Sequence, residues 1–399
     1  MSTFNVTNTN ATGIGSLQQA VLNANAQTGR DIISFNGIFG DKIADTITLG
    51  GSSLSIIDDL EIRGKDANSL TISGDNASLV FEISSGITVK IGGLTIADGY
   101  NSGPTGGDYG GIYNQGILSI SNSIIKYNVG YYGGGIYNTG NLTLKDTSIT
   151  RNVGYLGGGI YNEGTLTVSN SSINNNNTFA LGTGGGIYNS SGIVTVDNST
   201  ISENGGGTDG GGIYNSFGIL TVNYSTIQGN EAYDDGGGVY NSGVFTVANS
   251  TINDNRITIA KNGGGGIYNS GAAIVNNSTI SGNEAEAGGG IYNDSTIAVR
   301  NSTITLNTAY NYYGGSSAGG IDNSSFGNAT IENSIVAGNY DNPNNDSTNT
   351  TNPDLFGNFS SNGYNLIGNL NGSRGFNSNE QLKVPIEKVL DKLIGTQVA

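Results

Sequence analysis

The chain has 399 residues and carries 15 Lys and Arg against 31 Asp and Glu, for a net charge of −16 and a pI near 4.2. A charge of that sign opposes nucleic acid and anionic membrane surfaces as partners. The chain has no Cys, no His and no Trp, which excludes disulfides, thiol nucleophiles, a histidine acid–base group and Cys/His zinc sites together.

Taken in chain order, residues 1–40 read as an N-terminal cap. Met1-Ser2-Thr3-Phe4 opens into polar sequence without the basic and apolar regions of a leader, so an export signal is expected either to have been removed or to lie elsewhere. Leu17, Ala20, Val21 and Ala24 fall on one helical face, with Ser16 placed as N-cap and Gly29 as stop. Such a helix would cover strand edges that otherwise invite end-to-end pairing. From residue 45, short alternating runs predict strands at 46–49, 54–56, 60–62, 70–72, 80–83, 89–91 and 94–96. No apolar run reaches the roughly 18 residues of a membrane span.

Beyond residue 110 one phrase recurs, seen most cleanly at residues 133–152: GGGIYNTGNLTLKDTSITRN. The Tyr of each G-I-Y-N falls at Tyr113, Tyr137, Tyr161, Tyr188, Tyr214, Tyr240, Tyr268 and Tyr292, spaced 24, 24, 27, 26, 26, 28 and 24 residues apart. A degenerate ninth copy contains Ile321-Asp322-Asn323. A period of this length means a solenoid or array. Leu142-Thr143-Leu144 alternates with period two and nothing in the repeats follows a helical period, so each repeat is one coil of a parallel β-helix. Equivalent residues then stack about 4.8 Å apart. Ile136 and Ile149, with their counterparts, form two inward stacks, and asparagines form three ladders: after Tyr (Asn114, Asn138), before Ile (Asn122, Asn170) and after Ile (Asn128, Asn152). Those asparagines are read as scaffold.

Four early segments, FNVTNT at residues 4–9, GSLQQA at 15–20, IISF at 32–35 and GGLTI at 92–96, resemble the entry of bacterial right-handed parallel β-helix surface proteins. The repeats are similar to the GGA-I and F-x-x-N repeats of chlamydial polymorphic outer membrane proteins. GGGIYN stands where that family has GGA-I, and Ile149-Thr150-Arg151-Asn152 stands where it has F-x-x-N. The resemblance spans residues 4–376 and includes GYNLIG at 363–368, a phrase common in cyanobacterial members. It implies an all-β, right-handed solenoid of 24–28 residues per coil with a cap helix, and a surface protein of the adhesin kind. The family's C-terminal membrane barrel and its glycine- and aspartate-rich calcium repeats have no counterpart in the sequence. The expected organisation is a cap at 1–40, coils at 41–340, and an irregular loop, last coils and terminal cap segment at 341–399. Ile386, Val389, Leu390 and Leu393 lie at helical spacing in that last segment.

Length variation concentrates between I-x-x-N and the next GGG, at 129–132, 153–156, 177–183, 205–209, 231–235, 256–262, 284–287 and 308–318. Variable loops on one edge of a rigid scaffold are the usual place for binding. The expected ligand contacts are Tyr131, Tyr132, Tyr155, Tyr233, Asp234, Asp235, Tyr310, Tyr312 and Tyr313, because aromatics stack on sugars and carboxylates accept from hydroxyls. The Tyr113 to Tyr292 ladder is expected to face outward and to stabilise neighbouring coils, with polysaccharide binding as the alternative. Carboxylates at Asp58, Asp59, Glu61, Asp234, Asp235, Glu284 and Glu286 show no recurring ladder, so no catalytic residue is assigned. No metal or cofactor is assigned; Ca²⁺ is compatible with the composition but has no motif. These readings predict a non-enzymatic extracellular or cell-surface protein binding polysaccharide, cell-surface or matrix glycans, or its own kind. A polysaccharide lyase or hydrolase and an end-to-end filament are the alternatives.

Overall fold

In the computed structural model the chain is a right-handed parallel β-helix with one N-terminal helix. The structure describes residues 1–40, 43–100, 109–258, 263–310, 317–341, 353–377 and 379–380. The tail helix expected around Ile386 and most of the 341–353 loop lie outside them. The chain divides into two compact units, Met1–Gly207 with Gly212–Ile219, and Thr208–Gly211 with Leu220–Ala399.

In the first unit the helix Leu17–Asn25 buries Leu17, Ala20, Val21 and Ala24, and the Ser16 hydroxyl accepts from Gln19 N at 3.2 Å. The helix ends at Ala26, whose N–H reaches Leu22 O, so it stops before Gly29; that glycine sits in the following turn at φ +99°. Asn25 ties the helix to a coil by donating to Ser55 O at 2.8 Å and accepting from Ile57 N at 3.1 Å. Thr3–Val6 and Asp31–Phe35 already pair in parallel, Thr3 opposite Ile32, and the sheet continues to Leu60–Arg63.

A coil is typified by Ile136–Asn138, Asn141–Lys145 and Ser148–Thr150, each pairing in parallel and in register with the same segment of the next coil. The three strands form three walls around a core of stacked Ile, Leu and Val: Ile136 and Leu144 are fully buried and Ile149 nearly so. The second unit repeats the plan, with Ile267 opposite Ile291 and Ile252 opposite Ile280.

The asparagine ladders are of two kinds. Asn114, Asn138, Asn162 and Asn189 are completely buried, each Nδ2 donating to the next Oδ1 at 2.7–2.9 Å. Asn128, Asn152 and Asn176 do the same at 2.9–3.0 Å and also accept from the preceding backbone N–H. Asn122, Asn170 and Asn198, by contrast, sit exposed at φ 45–48°, where a short polar side chain tolerates left-handed backbone. A further buried ladder runs through the Ser of N-S-T: Ser171 N donates to Ser199 Oγ at 3.1 Å, and Ser171 Oγ donates to Ser169 O at 2.7 Å. These bonds satisfy polar groups that burial would otherwise penalise.

Candidate functional site

The tyrosine ladder stacks face to face except between Tyr137 and Tyr161, which meet edge-on at 5.2 Å. In the first unit Tyr113 and Tyr137 lie 5.1 Å apart and Tyr161 and Tyr188 5.0 Å apart; in the second unit Tyr240 and Tyr268 lie at 4.9 Å and Tyr268 and Tyr292 at 5.4 Å. In the stacked pairs each ring covers its neighbour's face, so these pairs leave edges rather than flat platforms for a sugar. Burial pushes the Tyr292 phenol up to about 12, with the Asp322, Asp294 and Asp235 charges adding to it. The Tyr292 phenol is therefore a donor, not a base, near neutral pH.

Of the expected ligand residues, Tyr131, Tyr132 and Tyr155 meet in the first unit. Tyr131 stacks on Tyr155 at 4.7 Å and meets Tyr132 edge-on at 4.8 Å, and Tyr132 reaches Tyr161 at 5.2 Å. Beneath them Glu163 accepts from the Tyr137 hydroxyl at 3.0 Å and the Tyr161 hydroxyl at 3.1 Å. Among the early carboxylates, Glu61 is ion-paired to Arg30 and Arg63, Asp58 accepts from Gly29 N, and Asp59 accepts from Thr88 N. All three serve the fold.

Tyr233, Asp234, Asp235 and Tyr310 lie in the second unit, and Tyr312 and Tyr313 lie outside the described residues. Tyr310 donates to Glu284 at 2.6 Å, and Arg256 holds Glu231 at 2.6 Å. Tyr233, Asp234 and Asp235 are brought against a residue that local reading passes over, Asp209. Tyr233 N and Asp234 N donate to Thr208 O at 3.1 and 2.9 Å, Gly210 N donates to Asp235 O at 2.9 Å, and Asp235 N–H reaches the Asp209 carboxylate. Asp209 and Asp235 face each other as a parallel bridge, and Asp235 Oδ1 accepts from Gly263 N at 3.1 Å. Burial, reinforced by the Asp234 charge, pushes the Asp209 carboxyl up to about 6. Half-buried, it holds a proton close to neutrality while Tyr233 beside it leaves 41% of its surface exposed. The signal for Asp209 was present in the sequence: Asp209 and Asp235 each precede the GGG of their repeat, so alignment on GGG places them one coil apart.

A second proton-holding carboxyl, Asp322, stands opposite Tyr292 where the ladder's next Tyr would fall; burial pushes it up to about 7 against a bond from Ala318 N–H. At 4% exposure it is closed to a polymer. Among the described residues no group of three or more His, Cys, Asp or Glu is placed to hold a metal ion, and no helix is long and apolar enough to cross a membrane.

No protein-family model matches the chain, and no curated protein matches its sequence. The likeness to polymorphic outer membrane repeats is therefore one of motif, and the chain is not placed in that family. Among solved structures, the chain is similar to a mannuronic acid specific polysaccharide family 6 lyase from human gut microbiota, at 12% identity and a TM-score of 0.36, over 99% of this chain and 95% of that one. The expectation of a non-enzymatic adhesin is corrected here. The solved structure that the chain is similar to is an enzyme, and the carboxylates Asp234 and Asp235, read from sequence as part of no recurring ladder, are joined by Asp209 one coil away. At this degree of likeness the neighbour assigns no activity, and the chemistry is argued from the residues themselves.

Proposed function

We propose that the protein is an extracellular polysaccharide-processing enzyme that hydrolyses glycosidic bonds at the Asp209, Asp234 and Asp235 cluster. One observation carries the reading: Asp209, a half-buried carboxyl pushed up to about 6 by burial and by the Asp234 charge, lies beside Asp234, so that one carboxyl is placed to give a proton and the other to take one. Glycoside hydrolysis requires that division of labour between two carboxyl groups. Asp209 gives its proton to the glycosidic oxygen as the C–O bond breaks; Asp234 takes a proton from the water that supplies the new hydroxyl. Asp235, fixed by Gly263 N–H, positions Asp209 through its own backbone N–H. Tyr233 offers an exposed ring for a sugar face.

Hydrolysis is preferred to elimination because it uses a proton-bearing carboxyl paired with a second carboxyl group, which is what this cluster supplies. The test is incubation with neutral and acidic polysaccharides, with and without Ca²⁺, scored for new reducing ends and for unsaturated ends. New reducing ends without unsaturated ones, lost in Asp209→Asn, are expected. Intact chains throughout, or unsaturated ends, would overturn the proposal.

A further inference from the structure

The first unit carries a second feature, chemically opposite to the acidic cluster and independent of the hydrolytic reading. At the corner after the middle strand, a groove of about 460 Å³ is lined by Arg63, Lys65, Lys90, Ser119, Ser121 and Asn122. Glu61 is the single carboxylate among its lining residues, and Arg30 and Arg63 already hold it. Neither Lys65 nor Lys90 is ion-paired among the described residues, in a chain whose acids outnumber its bases two to one. Register sets Lys90 between Glu61 and Ser119 of the flanking coils, and Ser121 beside Lys145. In a protein of net charge −16, two lysines without an ion pair that line one groove together with serine hydroxyls offer a place for an anion.

The shape of the corner extends the argument. Gly92-Gly93 occupies it in the coil of Lys90, with Gly93 at φ +70°, and any side chain added at Gly64 would meet Gly93 O at 2.2 Å. The same corner is Asn122, Asp146, Asn170 and Asn198 in later coils, where a groove of about 720 Å³ sharing Asn122 runs on. Its walls are amides, hydroxyls and the carboxylates of Asp66 and Asp146. One end therefore suits a negative charge, and the remainder suits the hydroxyls of uncharged sugar. Five corners at the spacing of stacked strands extend about 19 Å.

We infer that this corner of the first unit binds an acidic polysaccharide, with a carboxylate or sulfate seated between Lys65, Lys90 and Arg63 and neutral sugar lying along the asparagine corners. The experiment is retention of the whole protein on immobilised polygalacturonate, dextran sulfate and uncharged dextran, repeated across a salt series and with Lys65→Gln/Lys90→Gln. Both lysines are exposed, so the double variant is expected to keep its fold by circular dichroism. Binding to polygalacturonate or dextran sulfate but not dextran, weakened at least tenfold in the double variant and by salt, is expected; the matrix retained best identifies uronate or sulfate as the source of charge. Equal retention of the double variant, or retention no better than on dextran, overturns the inference. Cleavage at the Asp209 cluster is scored separately, so failure of one proposal does not imply failure of the other.

Discussion

Within each coil of the second unit, positions that never vary stand beside positions that always do. Asn255 and Asn283 repeat the same four partners: each takes the preceding ladder N–H and Nδ2, and each gives its own Nδ2 to the next Oδ1 and to a buried strand carbonyl. Immediately after each of them the chain changes identity, and there Glu231 meets Arg256, Glu284 meets Tyr310, and Asp209 meets Asp234 and Asp235. A residue repeated in every coil has its hydrogen-bonding capacity turned inward and has little to offer a ligand. Chemistry collects where the repeat is broken.

The comparison breaks most visibly if the ladder is cut. Asn255→Ala removes the acceptor of the Asn230 N–H and Nδ2 bonds and the Nδ2 donor to Asn283 Oδ1 and Ile227 O, while the backbone N–H at 255 still reaches Asn283 Oδ1. Losing four buried hydrogen bonds is expected to cost on the order of 4 kcal/mol, read as a lowered denaturation midpoint. Asn249→Ala at the outer corner, where φ is 52° and the bond to Asn277 is exposed, is expected to cost only about 1 kcal/mol. Equal effects would erase the distinction between ladder and corner.

Both asparagine types look alike in the sequence, since each recurs with the same period; what separates them is side-chain direction at a corner, which alternation does not encode. The Ile stacks and the strands were legible for the opposite reason: a buried apolar face leaves a period-two trace at 142–144 and in every other coil. The Ser ladder through Ser171 and Ser199 was hidden because a Ser beside Asn reads as turn chemistry. In the candidate site Tyr233, Asp234 and Asp235 were legible as a loop. Asp209 was legible only through its place before GGG, one coil from Asp235; the burial that raises its carboxyl leaves no trace in the sequence.

Acidity provides a smaller effect. Burial raises the carboxyls of Asp209 and Asp354 to about 6 and that of Asp322 to about 7. The folded protein thus binds protons that the unfolded chain releases near pH 4, and stability falls as pH rises from about 4 through 7. The thermal midpoint is expected to be several degrees higher near pH 5 than near pH 8. Asp322→Asn is expected to raise the value at the higher pH and shrink the difference; an unchanged difference would remove Asp322 from the account.

The smallest expected effect is a gain. Leu306 holds φ 58° at a corner where Gly229, Gly282 and Gly338 occur in other coils, and it is 56% exposed. Leu306→Gly is expected to stabilise by about 1 kcal/mol, because the side chain contributes strain and little burial. Destabilisation would mean that the corner is set by packing rather than by backbone.

The central claim is tested most directly by the pH profile of polysaccharide hydrolysis in the wild-type protein and in Asp209→Asn, with reducing ends as the readout. The account predicts activity that declines above about pH 6, as Asp209 loses its proton, and falls on the order of 10²- to 10⁴-fold in the variant while the fold is retained. Hydrolysis that persists undiminished in Asp209→Asn, or that shows no decline through that range, would contradict it.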